Sequence, residues 1–167
     1  MDTSKIPRLP SKSPRHIIIA IDPQSREADH TIQWALDNLL DSNRDQVDLV
    51  FALVLDADFS TDNVADIPAV YDYQYLMEIE QQIEERTTTA MKQYEKQLAD
   101  QNIRVHMKVY RTIGSESRNV LVEYTNSSKA DILIMGSRNL SAWKRFFWGS
   151  FSDYVQAHVH CPVIIVK

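Results

Sequence analysis

The amino-acid sequence predicts an α/β fold: a single doubly wound, five-stranded parallel sheet with helices on both faces. The first sign is a series of short, continuous, β-branched apolar runs, as strands covered on both faces require. The second is that one-sided helical stripes alternate with those runs, giving βαβαβαβαβ. The third is length, since helix-sized connections between strands imply parallel pairing through right-handed crossovers.

The elements follow in order. Ile17-Ile18-Ile19-Ala20-Ile21 is the first strand, and comparable runs recur at Leu49 to Leu55, Val105 to Val109, Ile132 to Met135 and Val163 to Val166. The first helix is marked by Ala28, Ile32, Ala35, Leu36 and Leu39. A long second helix carries Leu76, Ile79, Ile83, Met91, Tyr94 and Leu98 at three-and-four spacing. A third starts at Ser115 as N-cap, with Glu116 in its first turn, and ends near Asn126; a fourth runs from about Ser152 to Val159. The pattern leaves the strand order open. In such sheets ligands bind at the carboxyl ends of the strands, where the order reverses. The residues to inspect are therefore Asp22 and Pro23, the stretch after Leu55, Gly114, and the segment from Gly136.

The 167 residues suit one domain, 16–167, preceded by a flexible, basic, Pro-rich tail over 1–15. Hydrophobic content of 44% and charged content of 25% are ordinary for a globular protein. No apolar run nears the ~18 residues of a membrane span, and the tail has no secretory core, so a soluble, cytoplasmic protein is expected. One cysteine, Cys161, allows no internal disulfide. The net charge of −5 hides a tail of +3, with Lys5, Arg8, Lys12 and Arg15 against Asp2, which leaves −8 on the rest. That balance argues against nucleic-acid binding.

The chain's three glycines, Gly114, Gly136 and Gly149, all fall at expected strand-to-helix turns. After the fourth strand come Gly136-Ser137-Arg138-Asn139, nine residues from Leu140 to Trp148, then Gly149-Ser150 opening a helix. Backbone freedom beside the unpaired N–H groups of a helix N-terminus suits a phosphate, and Ser150 adds a hydroxyl. It suits a tight turn with a helix cap equally well. Neither a dinucleotide fingerprint nor a Gly-Lys-Ser/Thr loop is present.

The block Ala130 to Lys167, with Ala-Asp-Ile-Leu-Ile-Met-Gly-Ser-Arg-Asn, Gly-Ser-Phe-Ser-Asp-Tyr and Cys-Pro-Val-Ile-Ile-Val, resembles the C-terminal signature of universal stress proteins. The resemblance extends over about residues 16–167, including Ile-Ala-Ile-Asp at the end of the first strand. It implies a Rossmann-like fold of the adenine nucleotide alpha hydrolase type. It also implies adenine contacts at Asp22 and at the backbone of Val54, and ribose and phosphate contacts at Met135, Gly136, Asn139, Gly149, Ser150 and Phe151. Arg138 joins them as a charge able to offset a phosphate. One position departs from the family pattern: Asn139 stands where a second glycine belongs. Asn visits the left-handed region more readily than other side chains do, so the turn is compatible with it.

Other features weigh toward plain structure. Trp143, Phe146, Phe147 and Trp148, around Lys144 and Arg145, read first as loop packing. His158, His160 and Cys161 do not share a helix face, so no metal site is expected. Asp56, Asp58, Asp62, Asp66 and Asp72, with no Lys or Arg among them, read as a solvated loop, with magnesium accompanying a nucleotide as the other option.

The resemblance therefore implies an ATP- or other adenine-nucleotide-binding module of regulatory, stress-response type, acting through nucleotide-dependent dimer or partner contacts, with a homodimer formed through the last strand. The other class is a family member without nucleotide, acting as a dimeric interaction module. No pair of residues stands out to position or deprotonate water, so catalysis is expected to reach slow ATP hydrolysis at most.

Overall fold

The computed structural model describes residues 13–54, 73–112, 116–136 and 150–167. The elements are β1 (Arg15–Ala20), α1 (Arg26–Asn38), β2 (Asp45–Val54), α2 (Tyr73–Asp100), β3 (Arg104–Thr112), α3 (Ser117–Ser127), β4 (Ile132–Gly136), α4 (Ser150–His158) and β5 (Val163–Val166). All five strands are parallel, in the order β3-β2-β1-β4-β5.

The continuous apolar runs now have a cause. Alternate residues of each central strand face opposite layers, so both sets must be apolar. Ile17 and Ile19 of β1, with Val47, Leu49 and Phe51 of β2, pack under Ala28, Ile32 and Ala35 of α1 and Met91, Tyr94 and Leu98 of α2. Ile18, Ala20, Val50, Leu133 and Met135 point the other way, against Leu121 of α3 and Val155 of α4.

Polar clamps fix the layers. Arg15 Nε and Nη2 donate to the two carboxylate oxygens of Asp45 at 2.8 and 2.7 Å, and Nη2 also reaches the Leu39 carbonyl at 3.1 Å. Asp45 is fully buried. β1 thus opens at Arg15, ahead of its apolar run, because this pair joins it to β2 and to the end of α1. Under α3, Asp48 Oδ2 accepts from Tyr124 Oη at 2.5 Å and lies 2.8 Å from His16 Nε2. On the other face, Tyr94 Oη donates to Asp29 Oδ1 at 2.9 Å, tying α2 to α1.

Two expectations are corrected. The α2 stripe does not pack along its whole length: Met91 and Leu98 are buried, but Ile83 is 38% exposed, and Met77, beside the stripe, is 50% exposed. At about 1.5 Å per residue the 28-residue helix is about 42 Å long and outruns the nine-residue strand it precedes. The ion pair between Arg111, near the end of β3, and Glu84 marks where the sheet ends. For α3 the N-cap is Glu116 and the helix begins at Ser117; Glu116 already has helical φ and ψ and makes no side-chain cap bond. Gly114 and Ser115 lie outside the described residues.

Candidate functional site

The chain runs from β1 outward through β2 to β3, then crosses back over β1 to place β4 on its other side. β1 and β4 therefore leave a crevice at their carboxyl ends, the position where open parallel sheets bind ligands.

Asp22 stands at that point, two residues beyond β1, and is 2% exposed. Its Oδ1 accepts from the Gln24 backbone N–H at 2.9 Å, and its carbonyl accepts from Ser25 N–H at 3.0 Å. This Asx-type turn reverses the chain and delivers Ser25 as the N-cap of α1. One oxygen of the buried carboxylate is thereby held at the mouth of the crevice by the backbone of its own turn.

Gly136, the last residue of β4, forms the facing wall. A Cβ built there would come within 3.0 Å of Thr31 Oγ1 and 3.5 Å of Glu27 Cβ. The first turns of α1 press against the strand end, and a side chain at this position would make Thr31 yield by a few tenths of an ångström. Thr31 Oγ1 donates back to the Glu27 carbonyl at 2.8 Å, so the helix uses its proton. Between Ile21, Asp22, Ser25, Glu27, Thr31 and Gly136 remains a cavity of about 10 Å³. That volume holds one water at most, whereas nucleotide-sized ligands need about 300 Å³ or more. The described residues by themselves therefore do not enclose a nucleotide-sized pocket at this edge.

Val54 ends β2, paired with Thr112. Because Ala20 is in register with Val50 and Met135, the residues Asp22, Val54 and Gly136 all fall on one carboxyl edge. The Met135 side chain is 1% exposed and belongs to the α3–α4 core, so only its backbone faces this edge. α4 begins at the same edge, since β4 leaves there and β5 enters opposite; Ser150 is its first residue and Phe151 is half-buried against the core. Arg138, Asn139 and Gly149 lie outside the described residues, as do Trp143 to Trp148 and Asp56 to Asp72.

Glu27, Thr31 and Ser25 were not singled out from sequence. The signal was available: Glu27 and Thr31 are one helical turn apart and flank Ala28 and Ile32 on the core-facing stripe, directly after a strand end.

Farther away, the His158 ring stacks on Tyr154 at 4.0 Å, with Nδ1 donating to the Tyr154 carbonyl at 2.7 Å; Arg118 lies over the Tyr154 ring at 4.2 Å. Burial pushes the Cys161 thiol up from its ordinary range. Among the described residues no group of three His, Cys, Asp or Glu side chains could hold a metal ion, and no helix is long and apolar enough to cross a membrane.

Residues 14–167 match the model of the universal stress protein family. A universal stress protein of Methanocaldococcus jannaschii is 26% identical over 101 residues, which are 60% of this chain and 56% of that protein's length. Among solved structures, the universal stress protein UspA from Lactobacillus plantarum has a TM-score of 0.67 at 16% identity, covering 93% of this chain and 99% of its own. A family protein from Arabidopsis thaliana with AMP bound has a TM-score of 0.63 at 16% identity, covering 92% of each chain. At such identities the two structures establish the fold.

Proposed function

The chain belongs to the universal stress protein family, and we propose that it binds an adenine nucleotide, ATP or a relative of it, across the carboxyl ends of β1 and β4. The observation that carries this reading is the buried Asp22 carboxylate at the crossing point, opposite the strand end at Gly136, which the first turns of α1 approach closely. The AMP in the Arabidopsis relative supports the ligand class. In this reading Asp22 accepts from the adenine amino group and the Val54 backbone completes recognition of the base. The Met135 and Gly136 backbone lies along the ribose. Arg138, Asn139 and Gly149, with Ser150 and Phe151 at the N-terminus of α4, take the phosphates, with magnesium accompanying a triphosphate. Nucleotide occupancy then alters dimer or partner contacts, which is a regulatory role.

The test is twofold. Denatured purified protein should release an adenine nucleotide identifiable by mass. Asp22→Ala should weaken ATP binding in calorimetry by about 1–3 kcal/mol, the cost of one hydrogen bond to a buried edge. Unchanged affinity removes Asp22 from the site; no nucleotide bound or released by the wild type leaves the family member that acts through protein contacts alone.

A further inference from the structure

The β3 margin of the sheet has a different character from the crevice between β1 and β4. β3 is an edge strand of nine residues, hydrogen-bonded to β2 on one side only among the described residues. Its side chains alternate. Val105, Met107 and Val109 are half-buried against the α1–α2 core, while Arg104, His106 and Lys108 face the other way and are exposed.

Among the described residues α3 meets that second face of β3 only near its end, at Tyr110. Its Leu121 is buried with Ile18 and Leu133 of β1 and β4. It reaches outward through Tyr124, which binds Asp48 on β2 and tilts against Tyr110 with ring centroids 5.5 Å apart. Toward the start of the strand Arg104, His106 and Lys108 are exposed. Asp48 is occupied by Tyr124 and His16, and its other oxygen lies 3.5 Å from His106 Nδ1. Among the described residues Arg104 and Lys108 make no ion pair. In a chain of net charge −5, two positive charges without an ion pair among the described residues thus lie along one strand.

A long edge strand offers its outward N–H and C=O groups to another strand, and charges on the edge decide which strand is accepted. A second copy is disfavoured. Antiparallel pairing centred on His106 would set Arg104 opposite Lys108 of the other copy, and like charges directly opposite are destabilising. The complementary partner carries carboxylates on every second residue, facing Arg104, His106 and Lys108, and apolar side chains between them that extend the row of Val105, Met107 and Val109. We propose that the β3 edge docks an extended peptide of alternating acidic and apolar residues, added to the sheet as a further strand. A nucleic acid has no use for the outward backbone groups, and Asp48 sits beside its path.

The experiment uses the full chain and a labelled peptide of alternating Glu and Val, followed by fluorescence anisotropy at low salt. Binding is expected to weaken at least about tenfold in the Arg104→Glu/Lys108→Glu double variant and to persist in Lys96→Glu, a charge change on an exposed Lys–Asp pair of α2. Hydrogen exchange of the β3 amides should slow when the peptide is present. The double variant's fold is checked by circular dichroism, with Arg104→Gln/Lys108→Gln, expected to lose binding in the same direction, as the milder substitute. Three results overturn the proposal: no binding by the wild type, the behaviour of an edge whose charges merely repel strands; equal binding of the same peptide with its backbone nitrogens methylated, which leaves only charge; or tighter binding of a single-stranded oligonucleotide that displaces the peptide.

Discussion

Gly136 is a position where one methyl group decides the geometry. Its missing Cβ lets Thr31 and Glu27 of α1 approach the end of β4, so Gly136→Ala should press on Thr31 Oγ1 and cost about 1 kcal/mol. The nearer obstacle is Thr31 Oγ1, which Thr31→Ala removes. Denaturant unfolding of both single variants and the double should therefore give a non-additive cycle, with the double variant more stable than the sum of the single costs. Additive costs would mean that the strain lies elsewhere. Asp22 and Asp45 are both buried carboxylates yet differ in kind. Asp45 is matched by a bidentate guanidinium, which raises the pKa of Arg15, while Asp22 is held by backbone N–H at the crevice.

At the scale of elements, α2 divides into a packed half and a projecting half. Leu98→Ala removes a fully buried side chain and should cost about 2–5 kcal/mol of unfolding free energy, while Ile83→Ala, on an exposed turn, should stay within about 0.5 kcal/mol. Equal costs would show that the projecting half is covered after all. Tyr94 and Tyr124 dock α2 and α3 through carboxylates, and burial, followed by the hydrogen bonds to Asp29 and Asp48, pushes both phenols well above their ordinary value. Below about pH 10 these phenols are neutral in native and unfolded chains alike, and their contribution is fully present. Above that, the unfolded chain ionises them while the native state holds them neutral, so stability falls as pH rises toward the native values. Tyr94→Phe/Tyr124→Phe should be less stable than wild type at pH 7 and lose less on going to alkaline pH in urea titrations; a parallel loss in both proteins would refute the assignment.

The whole molecule ends in two unlike sheet edges. β5 has four apolar residues, Val163 to Val166, and no charge within the strand, so it suits pairing with a second copy, as the family resemblance implies. Light scattering at micromolar concentration should give twice the 19.3 kDa chain mass, and Ile165→Lys should lower it toward the monomer. A monomeric wild type would remove the dimer. β3 is longer and charged, and by the same reasoning rejects its own copy.

Element type and sequence along the chain were legible from residues alone, because local period and apolar runs are imposed by what each face must bury. The five strands lie where the β-branched runs lie, and their place at the end of a strand singled out Asp22 and Gly136 for inspection. The order β3-β2-β1-β4-β5 was not legible, since every parallel order of the same crossovers buries similar surface, and only long-range packing selects one. The failed apolar match along the start of α2 has a related cause: periodicity marks a face that could be buried, while the length of the neighbouring sheet decides how much of it is. The presence of Glu27 and Thr31 in the crevice, and of exposed Arg104 and Lys108 on the edge strand β3, likewise depends on which elements become neighbours. The sequence by itself determined the elements and the chemical character of their faces. The tertiary structure alone decided which faces meet, because contact between residues far apart in the chain is set by the packing of whole layers and by no local pattern.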